Sequence, residues 1–254
     1  LRNYILVTGA YWGFTLTDGA LRMLVLLHFF NLGYSPVTLA FLFLLYEFCG
    51  IVTNLLGGWI ASRLGLRVTL VAGLALQVAA LGMLALLNPA WSEPASVTWV
   101  MISQALSGIA KDLTKMSSKS AIKVLVPAEA KGTLFKWVAV LTGSKNALKG
   151  AGFFVGSFLL ATAGFAGGLW IMAGALALVW IGSWVSLPPA LGQAKTKAGW
   201  RDLFAKSREI NLLCVARFFL FGARDIWFVV GVPVFLRGVL RSEEHTSELQ
   251  SRQY

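Results

Sequence analysis

Residues 37–88 read VTLAFLFLLYEFCGIVTNLLGGWIASRLGLRVTLVAGLALQVAALGMLALLN, two long apolar runs separated by a short basic break. The runs cover 37–61 and 69–88, and Arg63 and Arg67 lie between them. Each run supplies about the 20 mainly apolar residues that a helix needs to cross the hydrocarbon core of a bilayer. The stretch therefore predicts two membrane-spanning helices joined by a positively charged loop.

The same alternation of apolar run and break continues through the rest of the chain. Numbered in chain order with the two above as spans 2 and 3, the other predicted spans lie at 4–30, 96–116, 133–163, 167–187 and 210–236. Residues that end helices or form turns mark the breaks, namely Asn31 to Pro36, Gly65, Asn88-Pro89, Pro127, Gly167-Gly168 and Pro188-Pro189. The predicted fold class is an all-α membrane protein.

Composition supports this class and argues against several others. Hydrophobic residues make up 57% and charged residues 13% of the chain, whereas soluble domains are roughly half apolar and a quarter charged. The net charge of +11 arises mainly in short gaps between spans rather than on a polar face, so no nucleic-acid partner is expected. Cys49 and Cys214 lie in separate apolar runs and only two histidines occur, which disfavours a zinc site or a Cys/His catalytic pair. We expect no cofactor and no enzymatic activity.

Among the loops, lysine and arginine occur only in alternate ones. The loops after spans 1, 3 and 5 contain none. The loops after spans 2, 4 and 6 carry Arg63 and Arg67, then Lys119, Lys123 and Lys131 flanked by Lys115 and Lys136, then Lys195, Lys197, Arg201, Lys206 and Arg208. Because cytoplasmic loops carry the excess of basic residues, the N-terminus and the 188–209 loop are predicted to be cytoplasmic. We expect a multi-pass protein of the inner (plasma) membrane.

Charged residues inside the spans follow a repeating order. Apart from Lys115 and Lys136 at span ends, they are Asp18 and Arg22 in span 1, Glu47 in span 2, Lys111 and Asp112 in span 4, Lys145 and Lys149 in span 5, and Arg217, Arg224 and Asp225 in span 7. Spans 3 and 6 carry none. A charge at the centre of a membrane helix costs about 2.5–3.5 kcal/mol, so such residues face a cavity or a partner. In each set of three spans, 1–3 and 4–6, the first two carry charges and the third carries none. This pattern is typical of a three-plus-three inverted repeat whose third helix faces lipid.

Two segments resemble motifs of the major facilitator superfamily. Gly58–Arg67 (GWIASRLGLR) resembles its loop motif, with Ser62 where an acid usually stands. Gly152–Gly156 (GFFVG) resembles its glycine-rich exporter motif, with Phe153 in place of proline. Glycines 9, 13, 150, 152 and 156 are expected to permit close helix packing.

A closer resemblance is to the organoarsenical efflux permeases (ArsJ-type) of that superfamily. It is carried by 15–22 (TLTDGALR), 43–48 (FLLYEF), 108–119 (GIAKDLTKMSSK), 141–150 (LTGSKNALKG) and 216–225 (ARFFLFGARD). The family is associated with export of 1-arseno-3-phosphoglycerate, which forms when a glycolytic dehydrogenase uses arsenate in place of phosphate. The resemblance implies an exporter that confers arsenate resistance and is functionally linked to a glyceraldehyde-3-phosphate dehydrogenase. The alternatives are a superfamily exporter of another small organic anion, sugar or drug, and a membrane-embedded enzyme, for which no nucleophile and base stand out.

The superfamily resemblance also implies a division of the chain. Residues 1–187 would form the N-terminal six-helix lobe, 188–209 the cytoplasmic central loop, and 210–240 helix 7, the start of the C-terminal lobe. Residues 241–254 (RSEEHTSELQSRQY) end the hydrophobic pattern abruptly and resemble a translated sequencing adapter, so we interpret them as a non-native tail. Without most of the second lobe, this chain is not expected to transport by itself.

The cations within the spans predict a site for an anionic substrate. Lys145 and Lys149 are four residues apart and share a helix face, and arginine can bind phosphate oxygens through two parallel hydrogen bonds. The predicted substrate-binding residues are Arg22, Lys111, Lys145, Lys149 and Arg224. The alternative is internal pairing, in which Asp18 and Arg22 neutralise each other and Arg224 and Asp225 are satisfied by their neighbours. Lys111 would then extend to the cytoplasmic surface.

Transport against a gradient needs an energy source, and the chain has no nucleotide-binding loop. We therefore predict proton antiport, with two lobes rocking around a midplane site. The predicted proton-coupling residues are Glu47 and Asp18. Glu47 is favoured because no cation lies three or four residues away on its own helix.

Overall fold

The computed structural model describes residues 2–125, 131–189, 191–192 and 207–225. Within those ranges the helices are α1 (Arg2–Asn31), α2 (Pro36–Leu42), α3 (Leu44–Leu64), α4 (Leu66–Ala85), α5 (Glu93–Leu125), α6 (Lys131–Ser186) and α7 (Arg208–Asp225). No strand occurs in this described part. The predicted all-α fold class is confirmed.

The chain divides into two compact units, residues 1–200 and 201–254. The first unit contains α1 to α6, and the second contains α7. In the first unit, α1 packs against α2, α4, α5 and α6. Its core is rich in leucine, including Leu21, Leu24, Leu70, Leu74, Leu81, Leu169 and Leu176.

The predicted second span consists of two helices rather than one. α2 begins at Pro36, and the Ser35 side chain accepts a hydrogen bond from the Thr38 amide at 3.1 Å, which caps the helix N-terminus. A break at Phe43, with φ −100° and ψ −2°, separates α2 from α3. Despite this break, Val37–Leu64 is long and apolar enough to cross a membrane.

A single glycine connects α3 to α4. Gly65 has φ +86°, a left-handed conformation that glycine adopts without steric penalty, and its amide donates to the Ala61 carbonyl at 2.9 Å. Arg63 and Arg67, which we predicted to lie in a loop, instead occupy the last turn of α3 and the first turn of α4. The Arg67 guanidinium donates to the Trp184 carbonyl at 2.5 Å and so holds the start of α4 against the end of α6.

α6 is a hairpin of two helical segments that meet at Gly164. A straight helix of 56 residues would be about 84 Å long, whereas the hydrocarbon core is about 30 Å thick. Gly164 interrupts the helix with φ +72°, and the segments 131–163 and 165–186 then run in opposite directions along α1. The contacts that show this order are Tyr4 with Trp137, Trp12 with Ser144, His28 with Phe165, Leu24 with Gly168, and Gly13 with Val179. The break that we predicted at Gly167-Gly168 therefore lies at Gly164, and both of those glycines are helical.

The exterior of the first unit is apolar. By length and composition, four helical stretches of the described chain could cross a membrane, namely Arg2–Asn31, Val37–Leu64, Leu66–Ala85 and Gly132–Ser186. Large apolar side chains point outward, and Phe154 is 81% and Val185 78% exposed. Such a surface is unfavourable in water and is covered by acyl chains in a bilayer. The protein is a multi-pass membrane protein.

α5 differs from the other helices because its buried face is polar. Ser107 donates to Gln77 at 2.7 Å, and Ser117 donates to the Thr69 hydroxyl at 2.6 Å, so buried side chains of α5 are hydrogen-bonded to side chains of α4. The predicted span 96–116 lies within this helix. These polar side chains are buried inside the helical unit rather than facing lipid, and Ser107 and Ser117 find their partners there.

Candidate substrate site

Two glycines bring α3 and α5 into backbone contact. A methyl group at Gly108 of α5 would overlap the Tyr46 carbonyl of α3, and a methyl group at Gly50 would meet the Asp112 carboxylate and the Lys111 ammonium. The absence of these side chains lets the two helices approach closely. The charged residues of α5 are thereby placed beside Tyr46 and Glu47.

Glu47 lies between two cations that come from different helices. Its carboxylate accepts a hydrogen bond from Arg22 of α1 at 2.6 Å and another from Lys111 of α5 at 3.3 Å. The Glu47 side chain is 56% exposed, whereas the side chains of Arg22 and Lys111 are each 23% exposed. The two cations are thus largely buried, and their shared counter-ion is the exposed member of the group.

Tyr46 holds the same two cations through its ring. The Arg22 guanidinium and the Lys111 ammonium each lie 4.1 Å from the ring centroid, within the range of a cation–π interaction. The fully buried Tyr46 donates its hydroxyl hydrogen bond to Asp18 at 2.5 Å. One side chain therefore contacts both cations and a carboxylate from α1.

Asp112 forms a second pairing on α5. Its buried carboxylate accepts from Lys115 at 2.9 Å and lies 3.9 Å from the Lys111 ammonium. In this part of the molecule, each of the three carboxylates has a hydrogen-bond or ion-pair partner. The partners are Tyr46 for Asp18, Arg22 and Lys111 for Glu47, and Lys115 and Lys111 for Asp112.

Lys145 and Lys149 reach this region from α6. The first segment of α6 packs directly against α1. The close approach is shown at Gly19, where an added methyl group would overlap the Lys149 carbonyl. Both lysines are half-buried, and in the described residues neither forms a hydrogen bond or an ion pair. Lys145 lies within electrostatic range of the cations Lys111 and Lys115 and of the carboxylates Asp18 and Asp112. Lys149 lies within range of the cations Arg22, Lys111 and Lys145 and of the carboxylate Asp18.

We call this set the charged cluster. Its members are Asp18, Arg22, Tyr46, Glu47, Lys111, Asp112, Lys115, Lys145 and Lys149. Five cations against three carboxylates leave an excess of two positive charges. Because the two lysines of α6 have no partner among the described residues, they carry this excess. Such a surface attracts anions.

The structure brings most of the predicted site residues together. Arg22, Lys111, Lys145, Lys149, Glu47 and Asp18 all belong to the charged cluster. For Arg224 the structure describes the backbone, in α7 of the second unit, so the predicted placement of its side chain lies outside the described residues. Lys111 lies over the Tyr46 ring instead of extending to the surface.

The pairing inside the cluster differs from the alternative considered from sequence. Asp18 and Arg22 are one helical turn apart, yet Arg22 pairs with Glu47 and Asp18 accepts from Tyr46. Sequence reasoning did not single out Tyr46. The available signal was its position beside Glu47, since a buried tyrosine hydroxyl in a membrane helix needs a partner.

No group of three or more His, Cys, Asp or Glu side chains that could hold a metal ion occurs within the described ranges. The contacts of the charged cluster are hydrogen bonds, ion pairs and cation–π contacts between protein groups. Such an arrangement of groups is suited to binding an anion, and its ion pairs can be replaced by ion pairs with a ligand.

Comparison with known proteins identifies the fold. Residues 5–246 match the sequence profile of the Major Facilitator Superfamily. One similar solved structure is a POT family transporter in complex with a thioalcohol conjugated peptide, with a TM-score of 0.61 and 18% identity over 88% of this chain and 46% of that one. Another is a POT family transporter in complex with 5-aminolevulinic acid, with a TM-score of 0.60 and 15% identity over 89% of this chain and 46% of that one.

At these identities the likeness concerns the fold. The chain spans about half the length of both solved transporters, since it covers 46% of each. No match was found among curated proteins.

Proposed function

Because the chain belongs to the major facilitator superfamily, we propose that the protein is a secondary active exporter of an organoarsenical anion, 1-arseno-3-phosphoglycerate. Export of this anion removes arsenic from the cytoplasm and confers arsenate resistance. The proposal places the protein in the inner membrane with its N-terminus in the cytoplasm. It links the protein functionally to the glyceraldehyde-3-phosphate dehydrogenase that makes the substrate.

The main support for an anionic substrate is a pair of lysines on α6 that have no ion-pair partner among the described residues. Lys145 and Lys149 are half-buried in a helical unit with an apolar exterior. Among the described residues neither lysine forms an ion pair, and the carboxylates act only at longer range, Asp18 on both lysines and Asp112 on Lys145. Uncompensated charge is costly at membrane depth. A ligand with a phosphate at one end and an acyl arsenate at the other supplies the missing negative charge and acceptor oxygens.

The arginine and the lysines would contact the substrate in different ways. Arg22 can hold two oxygens of one oxyanion through its planar guanidinium, while Lys145 and Lys149 act as compact charges on flexible stems. Rocking of two lobes around such a site would expose it to each side of the membrane in turn. Proton antiport would supply the energy, with Glu47 and Asp18 as the proton-coupling carboxylates.

The second candidate is an exporter of another small organic anion, a sugar or a drug. A neutral sugar or a cationic drug leaves the excess positive charge of the charged cluster without a counter-ion. The cluster therefore favours an anion over these two ligand classes. The choice of the organoarsenical among anions is supported by the resemblance of segments 15–22, 43–48, 108–119, 141–150 and 216–225.

The test is arsenate tolerance of a sensitive bacterial strain that co-expresses the dehydrogenase and the complete gene. We expect tolerance to require both genes. Lys145→Gln and Lys149→Gln should each lower tolerance, since loss of a charged hydrogen bond of about 1.5–3 kcal/mol reduces substrate affinity by roughly tenfold or more. Lys136→Gln is the matched control, because Lys136 is exposed on the same helix.

Two results would contradict the proposal. One is tolerance that the gene does not change when the dehydrogenase is present. The other is tolerance that falls equally in the Lys136 control and in the Lys145 and Lys149 variants at matched membrane levels.

A further inference from the structure

The two cations best placed for an oxyanion are already occupied. Glu47 accepts from Arg22 at 2.6 Å and from Lys111 at 3.3 Å, using a different carboxylate oxygen for each. A phosphate or arsenate group would make the same kind of contact with the same two donors. The carboxylate of Glu47 therefore stands where an oxyanion of the substrate would bind.

The cations are held in place independently of Glu47. Arg22 and Lys111 each lie 4.1 Å from the centroid of the Tyr46 ring, and Tyr46 is itself fixed through its hydrogen bond to Asp18. If Glu47 moved away, these contacts would remain. The two donors would then present an unfilled pair of positive charges.

Glu47 is also the carboxylate of the charged cluster that can leave most easily. Its side chain is 56% exposed, whereas that of Asp112 is 5% exposed and the Asp18 residue is buried. Ion pairs of exposed groups add little to stability because water competes for both partners. A stronger ligand can therefore replace the Glu47 carboxylate.

We propose that Glu47 is an internal competitor for the transported anion: it occupies Arg22 and Lys111 in the empty site, and a divalent oxyanion displaces it. This inference rests on the proposed function as an anion exporter. A dianion brings more charge to the two donors than one carboxylate, and Lys145 and Lys149 add attraction that Glu47 does not use. The exchange leaves neither Arg22 nor Lys111 without a counter-ion at either stage.

Two helices supply the charges that pair with Glu47, namely α1 with Arg22 and α5 with Lys111. Asp112 lies 3.9 Å from Lys111, Asp18 acts on Arg22, and Lys145 and Lys149 of α6 lie within electrostatic range of Lys111. Removal of the Glu47 charge alone therefore raises the net positive charge at the donors. The proposal predicts tighter anion binding when Glu47 is neutralised, and a purely structural ion pair predicts looser binding.

The experiment is a titration of inorganic phosphate, followed by ³¹P NMR line broadening, with the purified full chain in a phosphorus-free detergent. We expect Glu47→Gln to bind phosphate about tenfold more tightly than the wild type, and arsenate to displace it. Glu47→Asp, which keeps the charge, should stay within about threefold of the wild type. Arg22→Gln should bind at least about tenfold more weakly.

Glu93→Gln is the matched control for loss of one acidic charge, because Glu93 lies in the first turn of α5, away from the charged cluster. Its phosphate affinity should equal that of the wild type. Helix content by circular dichroism establishes that each variant is folded, and Glu47→Ala replaces the glutamine variant if that one is not. Failure of every neutral variant to fold would show that Glu47 is a structural ion-pair member and would overturn the inference.

The outcomes separate this inference from the proposed function. Phosphate binding that is unchanged or weaker in Glu47→Gln overturns the internal competitor but leaves the exporter in place if arsenate tolerance is intact. Tighter binding in Glu47→Gln, combined with no effect of the gene on arsenate tolerance, supports the competitor in an exporter of a different anion. Absence of phosphate binding in all variants overturns the inference.

Discussion

At the scale of single residues, Tyr46 organises the charged cluster. Its ring contacts both Arg22 and Lys111, and its hydroxyl donates to Asp18, so it combines three interactions that would otherwise need three side chains. Each of these partners comes from a helix other than that of Tyr46. A sequence displays the neighbours of a residue along its own helix, and so the role of Tyr46 was not predicted from it.

We predict that the ring and the hydroxyl of Tyr46 have separable effects. Tyr46→Phe keeps both cation–π contacts and removes the donor to Asp18, so phosphate affinity should stay within about twofold while stability falls by about 1.5–3 kcal/mol. Tyr46→Leu removes the aromatic faces as well, and phosphate affinity should fall by about tenfold or more. Equal affinities of the two variants would contradict the positioning role of the ring. The measurements are ³¹P NMR titration and denaturant unfolding in detergent.

At the scale of helices, glycines decide how closely α6 approaches α1. A methyl group at Gly152 would overlap the Leu16 carbonyl, and one at Gly156 would overlap the Ala20 carbonyl. The expectation of close packing is met at these two positions. At Gly13 an added methyl group would make ordinary van der Waals contact with the Val179 side chain at 3.4 Å. Gly9 and Gly150 have no atom within 4 Å of an added methyl group and so do not serve this purpose.

This difference between glycines on one helix gives a prediction about stability. Gly156→Ala should destabilise the first unit by about 1–3 kcal/mol, because the methyl group meets backbone atoms that cannot move aside without separating the helices. Gly150→Ala is the matched control, and it should be neutral or stabilising by up to about 1 kcal/mol through higher helix propensity. Thermal unfolding in detergent, followed by circular dichroism, compares the two. Equal loss of stability in both would show that close approach at Gly156 is unimportant.

At the scale of the whole molecule, polarity is distributed in the reverse of a soluble protein. Phe154 and Val185 lie on the outside of the first unit, while Asp18, Asp112 and Gln77 are buried. Acyl chains of the bilayer surround the outward apolar side chains. Most polar atoms of the buried side chains find hydrogen-bond or ion-pair partners in the charged cluster or between α4 and α5. This arrangement accounts for a chain with 57% hydrophobic residues that still carries charges within its spans.

The orientation in the membrane remains a prediction from the basic loops. In a background without Cys49 and Cys214, we expect a membrane-impermeant maleimide to label Ser92→Cys in intact cells. Lys123→Cys should be labelled only after the membrane is permeabilised, because Lys123 follows span 4 on the basic side. Both positions are exposed in the structure, so access to water is matched. The opposite labelling pattern would reverse the assigned topology.

The amino-acid sequence alone was sufficient for the all-α class, for the positions of the apolar runs and for the residues that carry charge within them. These properties are local, because the transfer of a segment into lipid depends on its own composition and length. Hydropathy predicts the ends of helices less accurately than the positions of the spans. It placed Arg63 and Arg67 in a loop and the α6 turn at Gly167-Gly168, because backbone conformation at a single glycine is not visible in hydropathy.

Only the tertiary structure decided which charges pair. The partners of Glu47 are 25 and 64 residues away in sequence, on α1 and α5, and they meet because glycines allow the helices to touch. Electrostatic pairing depends on distance in space, and that distance is set by packing between helices rather than by spacing along one of them. For this reason the cations and carboxylates could be identified in advance, whereas the shared position of Glu47 between Arg22 and Lys111 could not.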